Sequence, residues 1–419
     1  SRFGNANRWG FFPSVSGAWR VSEEQFMQGL GLIDELKIRA SWGQLGNQNI
    51  GLYNYLSNIN INQGTILENS VVAGSAITAL ADPNISWEKT TVTNLGLDIE
   101  FWEGRLNFVV DVFDKKTTDI LTRISIPAQV GNLQGPITNL YSMSNKGIEI
   151  NAMHRNTIGQ LNLEVGANLA YVENKVDYLA GDIQYTTNRF GNIRVIKEGY
   201  PVNSWYLYEA EGIFQSQEEI DQHAFQSNAT APGDIKFRDV NNNGEIDIND
   251  MDVRGRSTPK YTYGFNLNLR FRDIDLSAFF QGVYDIDIYP FHNVAFPLYN
   301  GAGITKDYFY NHWTPDNREA KYPRLFLPAR GTQINSANST FWLQDASYLR
   351  LKNLQIGYNL RGRFLDRMNI SRLRPYINAQ NLLTFSQWKL SDPEKDILRQ
   401  DLGDYPNAKI ISLGLNLAF

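Results

Sequence analysis

Near the middle of the chain, Asp239-Val240-Asn241-Asn242-Asn243-Gly244-Glu245-Ile246-Asp247-Ile248-Asn249-Asp250 sets side-chain oxygens in the order of a calcium loop. Asp239, Asn241 and Asn243 take positions 1, 3 and 5, and Gly244 follows at 6. Glu245 and Asp247 come next, and Asp250 closes at position 12. A hard cation needs several oxygens around a tight turn, which the glycine permits. The closing residue is Asp rather than the longer bidentate Glu, as in dockerin-like loops, and flanking helices are not evident. These six side chains are the candidate ligands of a structural Ca2+. The plain alternative is a polar Asn/Gly turn.

Other chemistry is scarce. His154, His223, His292 and His312 are scattered without ligand spacing, and cysteine is absent, so thiolate metal sites and disulfides are excluded. Gly-x-Ser-x-Gly and phosphate-loop patterns are missing. Carboxylates are plentiful, but no pair stands out for glycoside hydrolysis. No organic cofactor is expected, and the reading is not of an enzyme. Trp205, Tyr206, Tyr208, Trp313, Trp342 and Trp388 lie outside the regular segments and are candidate platforms for the apolar faces of sugar rings. Their alternative place is in the small cores that long loops need.

What must position these residues is a set of strands. From Ile410 to Phe419 apolar and small or polar residues alternate, so Ile411, Leu413, Leu415, Leu417 and Phe419 share one face. The same period-two pattern occurs at Ser14 to Ser22, Leu36 to Gly43, Thr93 to Phe101 and from Leu106. It returns around Ile148, over Leu161 to Tyr171, Tyr261 to Phe271 and from Ile274, and then over Tyr348 to Leu360 and Leu373 to Phe385. That predicts eleven strands of about ten residues, the length of tilted strands crossing a membrane. Within Tyr348 to Leu360 the apolar parity slips near Lys352-Asn353, which predicts a β-bulge.

Turns at Trp102-Glu103-Gly104, Asn156 to Gly159, Arg272-Asp273 and Arg361 to Arg372 are short, and in outer-membrane barrels such turns face the periplasm. The long segments 46–89, 118–145, 173–259, 285–347 and 386–407 then all face outside, the calcium-like loop among them. Lys37, Arg39, Asn94, Asp98, Glu100, Glu149, Asn266, Asn268 and Arg270 fall on the inner face. Trp19, Phe101, Trp102 and Phe271 fall near strand ends, where interface girdles form.

Composition agrees. The 419 residues are 42% hydrophobic, with 21 Tyr, 23 Phe and 9 Trp. The mean hydropathy of -0.37 is too polar for a helical membrane protein. A net charge of -5 without a basic stripe argues against nucleic-acid binding. Bacterial barrels are even-stranded, and no leader opens the chain at Ser1. Further strands are therefore expected before it.

Several segments resemble the SusC/RagA-like TonB-dependent transporters. These are Ser1-Arg2-Phe3-Gly4 with Trp9-Gly10-Phe11-Phe12-Pro13-Ser14, Leu36-Lys37-Ile38-Arg39-Ala40-Ser41-Trp42-Gly43, Asn145-Lys146-Gly147-Ile148-Glu149 and Glu198-Gly199-Tyr200-Pro201. Gly212-Ile213-Phe214, Asn381-Leu382-Leu383-Thr384 and, most specific, Phe341 to Asn353 complete the set. The resemblance implies that residues 1–419 are the C-terminal part of a 22-stranded transmembrane antiparallel β-barrel in the outer membrane, with the plug and first strands absent. It also implies energising by a TonB-ExbB-ExbD complex through that missing part, and a SusD-like surface lipoprotein as lid. The expected activity is import of large nutrients, oligosaccharide first and oligopeptide second. The reading from a different class is a soluble extracellular β-sandwich that binds carbohydrate.

Overall fold

The computed structural model describes all residues except 28, 30, 68, 125, 127, 132, 189–190, 291–295, 328–333 and 396–404. Eleven strands form one sheet: β1 (Ser14–Arg20), β2 (Ile33–Asn47), β3 (Glu88–Phe101), β4 (Leu106–Arg123), β5 (Ile137–Ile158), β6 (Leu161–Leu179), β7 (Tyr261–Phe271), β8 (Ile274–Tyr284), β9 (Tyr348–Tyr358), β10 (Arg372–Ser386) and β11 (Ile410–Ala418). Their hydrogen-bonded order is their order in the chain, a simple meander. No helix among the described residues is long and apolar enough to cross a membrane.

Pairing fixes the faces. Leu267 lies opposite Ala278, and Phe265 opposite Phe280, on one side. Asn268 lies opposite Ser277, and Arg270 opposite Asp275, on the other. The apolar face continues through Leu354, Ile356 and Ile377 to Leu413. It is left uncovered: Leu95, Val112, Ile356, Ile377, Leu413 and Leu415 are exposed. In water such a surface would be unfavourable by about 25 cal/mol per Å², whereas against hydrocarbon it costs nothing. Eleven residues of β7, at about 3.3 Å each and tilted about 40°, span roughly the apolar height of an outer membrane. Tyr261 and Tyr284 pair at one end of that span, with ring centroids 5.9 Å apart. Phe271 and Ile274 stand exposed at the other.

The parity slip is a real bulge. Leu351 pairs with Phe280 and Asn353 with Phe279, so Lys352 is the extra residue. Other expectations need correction. The first strand stops at Arg20, because Val21 turns into a short 3-10 segment and is buried there. Strand lengths run from 7 to 22 residues rather than about ten. β4 and β5 outrun the apolar alternation because ladder pairs such as Thr117↔Met143 and Lys116↔Ser144 hold polar stretches as sheet. The segment 46–89 contains a hairpin, Ile59–Leu67 with Ser70–Ile77. The turn expected at Asn156 to Gly159 is only Gly159-Gln160, since the strands reach Ile158 and Leu161.

Contacts divide the chain into two compact units. The first holds Ser1–His154, Asn168–Tyr185 and Ile196–Val202. Its buried clusters are Phe3, Ile50 and Ile85, and Leu140, Val176, Leu179 and Ile196. The second holds Arg155–Ala167, Thr186–Val195 and Asn203–Phe419. Its main core is built by the connecting segments: Trp205, Leu207, Ile235, Phe237, Tyr289, Phe296, Tyr308, Phe326 and Trp342. Short strands frame this core, Ser204–Tyr208 with Met251–Gly255 and Ala210–Ile213 with Ile235–Phe237.

Candidate functional site

The polar face of the sheet carries amides and hydroxyls among charged groups, several of which are paired with one another. In the first unit Arg39 donates from Nε to Asp98 Oδ2 at 2.9 Å and from Nη1 to Asp111 Oδ1 at 3.1 Å. Lys37 adds an ion pair to Asp98 at 3.4 Å. In the second unit Arg374 grips Asp275 with two bonds, one of them from Nε at 2.9 Å. Arg155 meets Glu164 at 2.8 Å, and Glu164 also accepts from Asn268. Between these pairs stand Gly264, Asn266, Asn268, Ser277, Gln281, Gln355, Asn378 and Ser412. Sequence alternation located the face. It missed Asp111, Asp275 and Arg374 as partners, because cross-strand register is not visible in one strand's pattern.

The loop aromatics go mostly to the core. Trp205 is fully buried and donates Nε1 to the Asp287 carbonyl at 3.0 Å. Trp342 does the same to the Asn335 carbonyl at 2.9 Å. Trp313 bonds Gln215 and Trp388 bonds Ser391, each at 2.9 Å, and both are buried. Their ring faces are covered by protein and present nothing to a sugar. Tyr206 and Tyr208 are half-buried, and Tyr208 stacks on Phe237. Burial raises the Tyr208 hydroxyl pKa and raises that of Tyr308 as well.

Two polar clusters brace these segments. Asp234, buried, accepts from Arg324 at 2.6 Å and Asn335 at 2.7 Å, and this bond raises the Arg324 pKa. Arg350, also buried, holds Asp392 and Glu394, with Lys352 adding a 2.6 Å bond to Glu394. Both cations thus meet the same carboxylate.

Five of the six candidate calcium ligands, all but Glu245, turn oxygens onto the loop's own backbone. Asp250, fully buried, accepts from the N–H groups of Val240 and Asp247 at 2.8 Å. Asp239 accepts from Gly244 at 2.8 Å, Asn241 from Asn243 at 3.0 Å, and Asn243 from Glu245 at 2.8 Å. Asp247 caps the short 3-10 turn Ile248–Asp250. No group of three or more His, Asp or Glu side chains is placed to hold a metal among the described residues. The oxygens as arranged cap the turn's own backbone.

The wall, the bare apolar face and the cored loops define a membrane β-barrel. Residues 1–382 match the family model described as TonB dependent receptor-like, beta-barrel, and the chain belongs to that family of outer-membrane barrels. TonB-dependent receptor P3 of Formosa agariphila is 32% identical over 437 residues, covering 100% of this chain and 43% of that receptor. TonB-dependent receptor SusC of Bacteroides thetaiotaomicron is 28% identical, with 100% and 41% covered. The solved structure of the RagAB peptide transporter superposes with a TM-score of 0.81 at 26% identity, over 100% of this chain and 44% of that one. The chain thus spans less than half the length of these relatives.

Proposed function

We propose that the whole protein imports a large nutrient across the outer membrane, with this chain supplying the C-terminal part of the barrel and its outer loops. No covalent chemistry is asked of it. The observation that carries the reading is the pairing of a bare apolar outer face with a polar inner face. Energy would come through TonB-ExbB-ExbD acting on the plug, and a SusD-like lipoprotein would close the outer side.

Oligosaccharide is the cargo the wall favours. Several of its charges are spent on one another, as in Arg39 with Asp98 and Asp111 and Arg374 with Asp275. The cargo therefore meets mainly amides and hydroxyls, which suit a neutral, hydroxyl-rich chain. Oligopeptide is the second reading, favoured by the likeness to the RagAB peptide transporter and by the burial of the four tryptophans. Calorimetry on the purified complex with neutral oligosaccharides and with mixed oligopeptides separates the two. Binding of peptide alone would overturn the glycan reading while leaving the transporter reading intact.

A further inference from the structure

The link between β9 and β10 is unlike the other short turns. Across Leu360-Arg361-Gly362-Arg363-Phe364-Leu365-Asp366-Arg367-Met368-Asn369-Ile370-Ser371-Arg372 it carries four arginines against one aspartate. It contains a one-turn helix, Arg363–Arg367. Leu365 is buried beneath it, but Phe364 and Met368 are 71% and 52% exposed. Four residues apart, those two side chains share a face.

The segment is firmly held. Leu360 N–H bonds the Leu373 carbonyl and Ser371 N–H bonds the Ala418 carbonyl, both at 2.9 Å, while Met368 and Ile370 N–H close on Leu365. Arg361 is drawn to Asp273 at 2.7 Å. Arg363, Arg367 and Arg372 are exposed and make no ion pair with a described side chain. So a fixed turn presents two large apolar side chains and three exposed cations within ten residues.

We propose that this turn docks on the anionic phospholipid of the membrane's periplasmic leaflet. Two observations choose lipid over another occupant. Tyr358 and Leu360, exposed a few residues before Phe364, extend the exposed apolar band of β9, where Ile356 also faces outward, so the turn follows directly on the surface that hydrocarbon covers. The excess of arginine matches phosphate headgroups at the height where the band ends. Apolar side chains entering the interface while cations meet the headgroups is the pattern of interfacial anchors. The turn would then fix the depth of β9 and β10, whose upper ends hold the Arg350 cluster.

The test uses the full-length transporter in vesicles of phosphatidylcholine, with and without phosphatidylglycerol. The chain has no cysteine of its own. Spin labels go to Phe364→Cys and, separately, to Met368→Cys, with Tyr405→Cys as a water-exposed reference on an outer loop. Each variant is first checked for a folded barrel by its heat-dependent gel shift, and either label alone suffices. The expected result is a several-fold loss of collision with an aqueous nickel reagent relative to position 405, with oxygen collision retained. Phosphatidylglycerol should deepen the label, and the triple change Arg363→Gln, Arg367→Gln, Arg372→Gln should abolish that shift. Nickel access equal to position 405, or indifference to phosphatidylglycerol, would overturn the proposal. Shielding from nickel and oxygen together would also overturn it, assigning the turn to a protein partner.

Discussion

The guanidinium of Arg39 lies across the backbone of Gly96, and there is no room between them for a side chain. A Cβ at Gly96 would stand 2.5 Å from Arg39 Cζ and 2.6 Å from Asp111 Oδ1. Gly96 is the cross-strand partner of both Arg39 and Asp111, so the arginine spans three strands over a bare backbone. Arg374 crosses Gly357 to Asp275 in the same way, with a Cβ at Gly357 meeting its guanidinium at 2.4 Å. Glycine thus lets long polar side chains lie flat on the polar face of the sheet.

Gly96→Val should therefore push Arg39 off one aspartate. The expected cost is about 1–2 kcal/mol, because the pair is partly solvated. It is read as a lower urea midpoint in vesicles. Gly17→Val, where a Cβ meets nothing within 4 Å, is the control and should leave the midpoint unchanged.

The two faces of β11 should respond oppositely to charge. Leu413→Arg places a cation on the lipid side and is expected to cost about 2–4 kcal/mol if near the midplane. Ser412→Arg, one residue earlier on the inner side, should fold with little loss. Equal tolerance of both in a vesicle folding assay would remove the membrane reading of that face.

Trp205→Ala empties the centre of the loop core and leaves the Asp287 carbonyl without its indole donor. A loss of about 3–5 kcal/mol is expected locally. Limited proteolysis should cut within 203–259 while the barrel strands stay protected, because the two parts have separate cores.

For the loop at 239–250, Asp250→Ala strips the acceptor from three backbone N–H groups, at about 1–3 kcal/mol for each left unpaired. Amide exchange around Val240 and Asp247 should rise sharply. Since five of its side chains cap the turn without a cation, chelator should leave exchange in the unmodified loop unchanged. Slower exchange on adding calcium would restore the metal reading.

Acid should loosen the outer helix Lys306–Asn311. Its Asp307 carboxyl is held below the ordinary value of 3.8, first by the Lys321 ammonium and then by the Tyr322 hydroxyl. A depressed carboxylate contributes stability above the unfolded value, and that contribution is lost as pH falls through the folded one. Exchange in the helix should therefore quicken below about pH 4, and Asp307→Asn should flatten that response.

The strand count, the two faces, the Lys352 bulge and the hairpin turn at Arg272-Asp273 were all legible in the residues. Each is a consequence of period two, which is local, and a bilayer on one side and water on the other stamp that period plainly. The roles of the loop residues were not. A tryptophan in a long connection reads alike whether it stacks on cargo or on Tyr289, and only packing against residues some eighty positions away sent Trp205 inward. Likewise, the oxygens of Asp239 to Asp250 have ligand order in the sequence, yet folding turned them onto backbone donors. Alternation along one strand decides which face a residue takes. Register between strands and the closure of loops decide what it meets there, and those contacts exist only once the chain has folded.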